Sequence, residues 1–275
     1  NKIKTVQVVG RAESKELLEL TIDSRNTKRG SIYFAIEGFK VDGHKFIEEV
    51  ISKGADAVVL SKDGLVPDQL FVHSGCVKIL VEDSRKSLAE FSKQFYNDPS
   101  SRINLFAITG TKGKTTTAFY LKNILETAGL KTGLIGTIAN YIGNKEVNAS
   151  LTTPQSHEIN ALLNEMLSAG CKSCVMEVSS HALRLDRVTG LKFKSAVFTN
   201  ITSDHMDYHK TFEHYFESKK ILFDSLDSDS YAITNHDDEN GKLIIKNSKA
   251  KKIAYGESDK CDFKISNIKF DLEGT

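Results

Sequence analysis

The residues best suited to chemistry lie together at Gly110-Thr-Lys-Gly113-Lys114-Thr115-Thr116. Glycines let backbone N–H groups close around a phosphate, and a helix that follows them offers its positive N-terminus. Lys114 is placed to reach β- and γ-oxygens, and the Thr115 hydroxyl can hold magnesium. The loop is shorter than the common G-x-x-x-x-G-K-[ST] form, because the position five before Gly113 is Ile108. Its context compensates: an apolar strand pattern, Ile103 to Thr109, precedes it and a helical pattern follows. The bland alternative is a glycine-rich turn with an incidental lysine.

Three further groups fall after similar apolar runs. Glu177, in Met176-Glu-Val-Ser-Ser-His181, is a strand-end carboxylate that either caps and meets solvent or serves a magnesium beside the phosphates. His205 and His209 have the i,i+4 spacing of a zinc helix, but Met206 stands where a metalloprotease needs Glu. Asp204 and His205 facing a phosphate site read instead as a metal ligand, His205, and its orienting partner. In Phe212 to Phe223, a helical stripe of Phe212, Phe216, Lys220 and Phe223 sets Lys220 on an apolar face, while Lys219 keeps company with Tyr215 and Leu222. Spacing alone does not choose between the two lysines, and a snorkelling stem explains either. Cys171-Lys-Ser-Cys174 has no second pair or histidine at zinc spacing, so its thiols read as core residues.

These groups need elements to hold them. Upstream, Ser31–Ile36, Ala57–Leu60 and Val77–Val81 read as strands, with Phe46, Ile47, Val50 and Ile51 at helical spacing. The polar cluster Asn97-Asp-Pro-Ser-Ser101 marks a domain boundary, giving domains 1–98 and 99–275. Downstream, strands near 103–109, 133–138, 173–178, 195–201 and 230–235 alternate with helices 114–128, 156–169 and 211–225. The expected class is α/β: a small α/β domain, then a P-loop-type, mostly parallel sheet with helices on both faces. Ligands of such sheets gather at the carboxyl ends of the strands.

Composition narrows the partners. The 275 residues carry 37 Lys+Arg against 36 Asp+Glu, a net charge of +1, which argues against a dedicated nucleic-acid surface. No apolar run reaches the roughly 18 residues of a membrane span, and the chain opens on no signal-type stretch. The expectation is a soluble cytoplasmic monomer without nucleic-acid or membrane partners.

In order and spacing, these motifs resemble the Mur ligases. The carriers are Thr21-Ile-Asp-Ser-Arg25, Gly30 to Gly38 running into Asp42-Gly43, the loop 110–116, Leu151-Thr-Thr-Pro154, Met176 to His181 with Arg187-Val188, Asp204 to His209, and Asn235-His-Asp-Asp238. The Asp-Ser-Arg motif paired with Thr-Thr-Pro and Glu-Val-Ser-Ser-His is similar to the MurE type, which adds the third amino acid to UDP-N-acetylmuramoyl-L-alanyl-D-glutamate.

The resemblance implies roles. Ser24 in domain 1–98 would hold the UDP-sugar, and Thr152, Thr153, Ser179 and Arg187 the rest of the acceptor. Gly110, Thr111, Lys112, Gly113, Lys114, Thr115, Thr116 and Asn235 would bind ATP. Two magnesium ions would be served by Thr115, Glu177, His205 and a lysine carbamylated by CO2, which the resemblance sets at Lys220. With Lys114, Glu177, His205 and Lys220 as the catalytic set, a free amino acid, meso-diaminopimelate or L-lysine, would join the acceptor through an acyl phosphate in peptidoglycan precursor synthesis. The resemblance also implies a third, Rossmann-like, amino-acid-binding domain beyond Thr275, so that 1–275 alone is expected to be inactive. Two departures stand out: Lys112 occupies a position often Asn, and Leu185 replaces a polar residue. A second Asp83-Ser-Arg85 reads as a helix N-cap and takes no ligand. The competing readings are a small-molecule kinase using the same loop and a non-catalytic nucleotide-binding module.

Overall fold

A computed structural model describes residues 4–11, 17–39, 41–204 and 206–269. The chain forms two compact units, 1–97 and 98–275. In the first, the strands are β1 (Thr5–Val9), β2 (Glu19–Thr21), β3 (Ser31–Phe34), β4 (Ala57–Leu60) and β5 (Val77–Val81), with helices α1 (Ile47–Ser52), α2 (Asp68–Ser74) and α3 (Ser84–Phe95). Among the described residues they form one sheet in the order β1-β5-β4-β3-β2, parallel except for β1.

Strand alternation gives this sheet two apolar faces. Tyr33, Val58 and Leu60 pack with Val50, Ile51 and Phe71 of α1 and α2. Ile32, Phe34, Val59 and Val81 pack with Leu88 of α3. Asp83 caps α3 by accepting from the N–H groups of Arg85 and Lys86, the capping role its sequence position suggests.

The second unit runs β6 (Asn104–Thr109), α4 (Lys114–Thr127), β7 (Thr132–Ile135), β8 (Asn140–Ile142), β9 (Lys145–Val147), α5 (Ser156–Ser168), β10 (Ser173–Glu177), α6 (Ser180–Arg184), β11 (Ser195–Phe198), α7 (Met206–His209), α8 (Phe212–Asp224), β12 (Tyr231–Asn235), α9 (Gly241–Ile244), β13 (Lys251–Gly256) and β14 (Phe263–Lys264). Its described sheet has the order β14-β13-β12-β11-β6-β10-β7-β8-β9 and is parallel except where β8 and β9 fold back antiparallel. The α/β class and the parallel sheet agree with the sequence pattern. The β7–β9 meander and the outer strands β13 and β14 were not visible in it.

One large core cluster, including Leu105, Ile159, Leu163, Met176, Phe198, Tyr215, Leu222 and Phe223, lies on the face covered by α5, α6 and α8. The opposite face packs Ile108, Leu134 and Val175 against Ala118 of α4. Registers align the strand ends: Glu177 pairs with Ile108, and Phe198 with both Thr109 and Thr234. The carboxyl ends of β6, β10, β11 and β12 therefore finish level, and the segments that follow them meet.

No described helix is long and apolar enough to cross a membrane. Cys76, Cys171 and Cys174 are buried thiols and Cys261 is partly exposed; burial raises the Cys171 and Cys174 thiols, and burial with the Asp237 charge raises that of Cys261, so exposure is what separates them. In the native chain, an aromatic disulfide reagent should therefore titrate Cys261 quickly and the other three only after denaturation. Rapid native labelling of Cys171 would contradict this packing.

Candidate functional site

The loop between β6 and α4 is built for an anion. Gly113 lies in the left-handed region at φ 82° and stands at the N-cap of α4 with no side chain capping the helix. The first N–H groups of α4 thus keep their polarity for a ligand. Gly110 is required for space, because a Cβ there would strike the Thr199 hydroxyl. The loop is braced from β11: Thr111 N–H donates to Asn200 O (2.9 Å), Lys112 N–H to Asn200 Oδ1 (3.0 Å), and Thr199 Oγ1 to Lys112 O (2.7 Å). A cleft of ≈ 420 Å³ opens here, lined by residues 111–116 with Thr137, Thr152, Glu177 and Ser179. The Lys112 side chain is exposed at its lip.

Glu177 is fully buried beside the loop. Its carboxylate accepts from Thr115 Oγ1 (2.8 Å), Thr137 N–H (2.9 Å) and Thr137 Oγ1 (3.1 Å). This explains why β7 stops at Ile135, short of the strand 133–138 read from sequence: the Thr137 N–H turns to the carboxylate instead of a neighbouring strand. Gly136 leaves room for it, since a Cβ there would collide with Glu177 Oε1. Thr137 is a site residue that sequence reasoning missed; its signal was the Gly-Thr pair closing an apolar strand.

The lysines correct an expectation. Lys220, set by the resemblance at the phosphate site, turns its ammonium to Asp224 one helical turn on. Lys219 is the residue that reaches the loop: it is 1% exposed, and Nζ donates to Gly110 O at 2.9 Å. Lys114 Nζ donates to that same oxygen at 2.9 Å and to Thr111 O at 3.0 Å. Burial, with the neighbouring Lys114 charge, pushes Lys219 down to about 7, against the pull of Asp204. Burial also lowers Lys114, opposed by Glu177 and Asp204. Spacing left the two lysines open, and both are buried: the buried face of α8 carries Tyr215, Ser218, Lys219, Lys220, Leu222 and Phe223, while Phe212 and Phe216 are only partly buried.

Thr152, Thr153, Ser179 and Arg187 converge next to Glu177. Thr152 Oγ1 lies 3.1 Å from Thr137 Oγ1, whose own proton goes to Glu177; Thr153 Oγ1 donates to Glu177 O (2.9 Å), Ser179 N–H to Thr153 Oγ1 (3.1 Å), and Arg187 to Thr153 O (2.9 Å). Asn235, at the end of β12, donates to Thr199 O (2.9 Å) behind the loop. Thr116 is exposed on the first turn of α4. His205 lies outside the described residues. His209 Nε2 meets Ser180 Oγ at 2.8 Å in the core, away from any zinc-like arrangement with described residues. In the first unit, Ser24 is buried in the short 3-10 helix after β2, and its carbonyl accepts from Lys53 Nζ at 2.9 Å.

Hard-oxygen donors fit magnesium. Thr115 and Glu177 offer oxygens beside an anion loop, and no group of three His, Cys, Asp or Glu forms a metal cage among the described residues. Two such donors beside a phosphate loop suit an ion that keeps waters and takes phosphate oxygens as ligands.

Comparison with known proteins gives the family of the chain. Residues 108–275 match the family model of the Mur ligase middle domain, and 17–96 that of the Mur ligase family catalytic domain. The chain is 46% identical over 260 residues to the UDP-N-acetylmuramoyl-L-alanyl-D-glutamate–2,6-diaminopimelate ligase of Clostridium botulinum, covering 94% of this chain and 53% of that protein. It is 42% identical to the ligase of the same name from Clostridium perfringens, covering 98% and 55%. The chain thus spans about half the length of the curated relatives it matches. A solved structure of a ligase so named superposes with a TM-score of 0.78 at 25% identity, covering 93% of this chain and 52% of that one. The MurF ligase of Thermotoga maritima, solved with ADP, shares the fold, with a TM-score of 0.57 at 20% identity over 90% of this chain and 52% of that one.

Two predictions follow from the loop. Gly110→Ala should destabilise the chain by about 1–3 kcal/mol in chemical denaturation, through the collision with Thr199; an unchanged midpoint would contradict the geometry. Lys219 has a lowered folded value, so between about pH 7 and the ordinary lysine range the unfolded chain binds the extra proton and stability rises with pH. In CO2-free buffer, the stability advantage of Lys219→Met over wild type should therefore shrink as pH is raised from 6 to 10, and a pH-independent difference would refute it.

Proposed function

The chain belongs to the Mur ligase family, and from that premise we propose that the protein carrying it is an ATP-dependent ligase adding meso-diaminopimelate to UDP-N-acetylmuramoyl-L-alanyl-D-glutamate. The observation that carries the reading is the meeting of an uncapped helix N-terminus with Glu177, through Thr115, at the level ends of β6 and β10. The choice of diaminopimelate over lysine rests on the names of the relatives. ATP and a nucleotide sugar as substrates support a cytoplasmic setting.

Joining a carboxylate to an amine in water is uphill, so the acid must first be activated. ATP lies with its phosphates on residues 110–116, where the loop N–H groups and Lys114 hold the β- and γ-oxygens. Asn235 lies on the nucleotide side. Ser24 takes the uridine end of the acceptor, while Thr152, Thr153, Ser179 and Arg187 hold its peptide end beside Glu177. A D-glutamyl carboxylate oxygen attacks the γ-phosphorus in line, and the bond to ADP breaks. The amine then attacks the acyl carbon, loses a proton, and phosphate leaves. Thr115 and Glu177, with His205 on sequence grounds, would hold magnesium, and the ion would supply neutralisation of phosphate charge. No enzyme nucleophile is needed.

Carbamylation belongs at Lys219 rather than Lys220. Two ammonium groups, Lys219 buried and Lys114 half-buried, sharing one carbonyl repel each other. When the neutral Lys219 amine attacks CO2, an N–C bond forms, a proton is released, and the product is an anion. The repulsion with Lys114 then becomes attraction. Lys220, already neutralised by Asp224, gains nothing comparable.

The test is phosphate release from ATP by the full-length protein, expected only with both the UDP-MurNAc-dipeptide and the amino acid present. Release with a simple alcohol acceptor and no amine would favour a kinase. Lys219→Ala should lower kcat by about a hundredfold and abolish the CO2 mass increment seen in bicarbonate, whereas Lys220→Ala should keep both. The reverse pattern would move the carbamate back to Lys220.

A further inference from the structure

Tyr215 does not line the cleft, yet it is 1% exposed and ends on the phosphate loop. Its hydroxyl lies 3.1 Å from Thr111 Oγ1. That threonine oxygen also accepts from Thr202 N–H at 3.0 Å and lies 3.2 Å from Thr202 O. A hydroxyl has one donor and two acceptor sites. With Thr111 donating to Thr202 O and accepting from Thr202 N–H, its remaining lone pair is the one Tyr215 fills.

The same ring carries Lys219, whose Nζ lies 4.6 Å from its centroid one helical turn on. From one side chain, α8 therefore fixes two things: the rotamer of Thr111 inside the loop, and the path of the lysine that binds the adjacent Gly110 carbonyl. Burial raises the Tyr215 phenol above its ordinary range, so it stays a protonated donor at neutral pH.

We propose that Tyr215 is a positioning residue for nucleotide binding: its hydroxyl locks Thr111 so that the loop N–H groups are set for phosphate before ATP arrives. The inference rests on the nucleotide reading of the loop. A preset loop binds more tightly because ordering it costs nothing at the moment of binding.

Tyr215→Phe isolates the hydroxyl, since it keeps the ring, its packing and the Lys219 contact. ADP titrated calorimetrically into the full-length protein should bind Tyr215→Phe about fivefold more weakly than wild type, the usual worth of one neutral hydrogen bond. Thr111→Val should weaken binding at least as much, and the double variant should be no weaker than Thr111→Val alone. In the full-length protein, Tyr215→Phe should raise KM for ATP while leaving KM for the dipeptide acceptor unchanged, a split that loss of stability alone does not produce. Wild-type binding with an unchanged Tyr215→Phe, or effects of the two substitutions that simply multiply, would overturn the role of Tyr215 and leave the nucleotide reading intact. Failure of the wild-type chain to bind ADP would overturn both.

Discussion

Two lysines donate to one backbone oxygen, the carbonyl of Gly110. Like charges brought together in a buried site are costly, and here the cost is met by geometry that cannot easily relax. Lys114 arrives from the first turn of α4, and Lys219 from the deepest face of α8. The carbonyl they share opens a loop whose first glycine has no room for a Cβ. An arrangement of this kind is poised for anions. Phosphate oxygens give Lys114 a better partner than a carbonyl, and an acid group on Lys219 turns repulsion into attraction. The site is thus organised around positive charge, although the chain as a whole carries a net charge of only +1.

That charge is held in place by the sheet. Parallel strands with matched registers end level, so Gly110, Glu177, Thr199 and Asn235 come together from segments far apart in sequence. Around Glu177 the polar groups satisfy one another, with Thr115 and Thr137 on the carboxylate and Thr153 on the backbone carbonyl. A fully bonded buried carboxylate keeps its orientation, and Gly136 keeps the space it occupies.

The sequence made the loop legible because one short segment held strand, glycines, lysine and helix start together. Glu177 was legible for the same reason, as a carboxylate closing an apolar run. The choice between Lys219 and Lys220 was not. Neighbours on a helix point about 100° apart, and the apolar pattern centred the buried face on Phe212 and Phe216. The structure buries both lysines, together with Tyr215, Leu222 and Phe223, and what separates them is the partner each ammonium meets, Gly110 O for Lys219 and Asp224 for Lys220. Thr137 and Tyr215 escaped notice because their partners, Glu177 and Thr111, are distant in sequence. The antiparallel strands β8 and β9, three residues each, were too short to show an alternating pattern.

The central claim is that the loop and its lysines activate a carboxylate by phosphorylating it. The most direct measurement follows oxygen: the UDP-MurNAc-dipeptide labelled with 18O in its D-glutamyl carboxylate is turned over by the full-length protein with ATP and diaminopimelate. An acyl phosphate requires one labelled oxygen to leave with each phosphate, so the released phosphate should carry 18O. Unlabelled phosphate formed alongside the amide product would contradict the account.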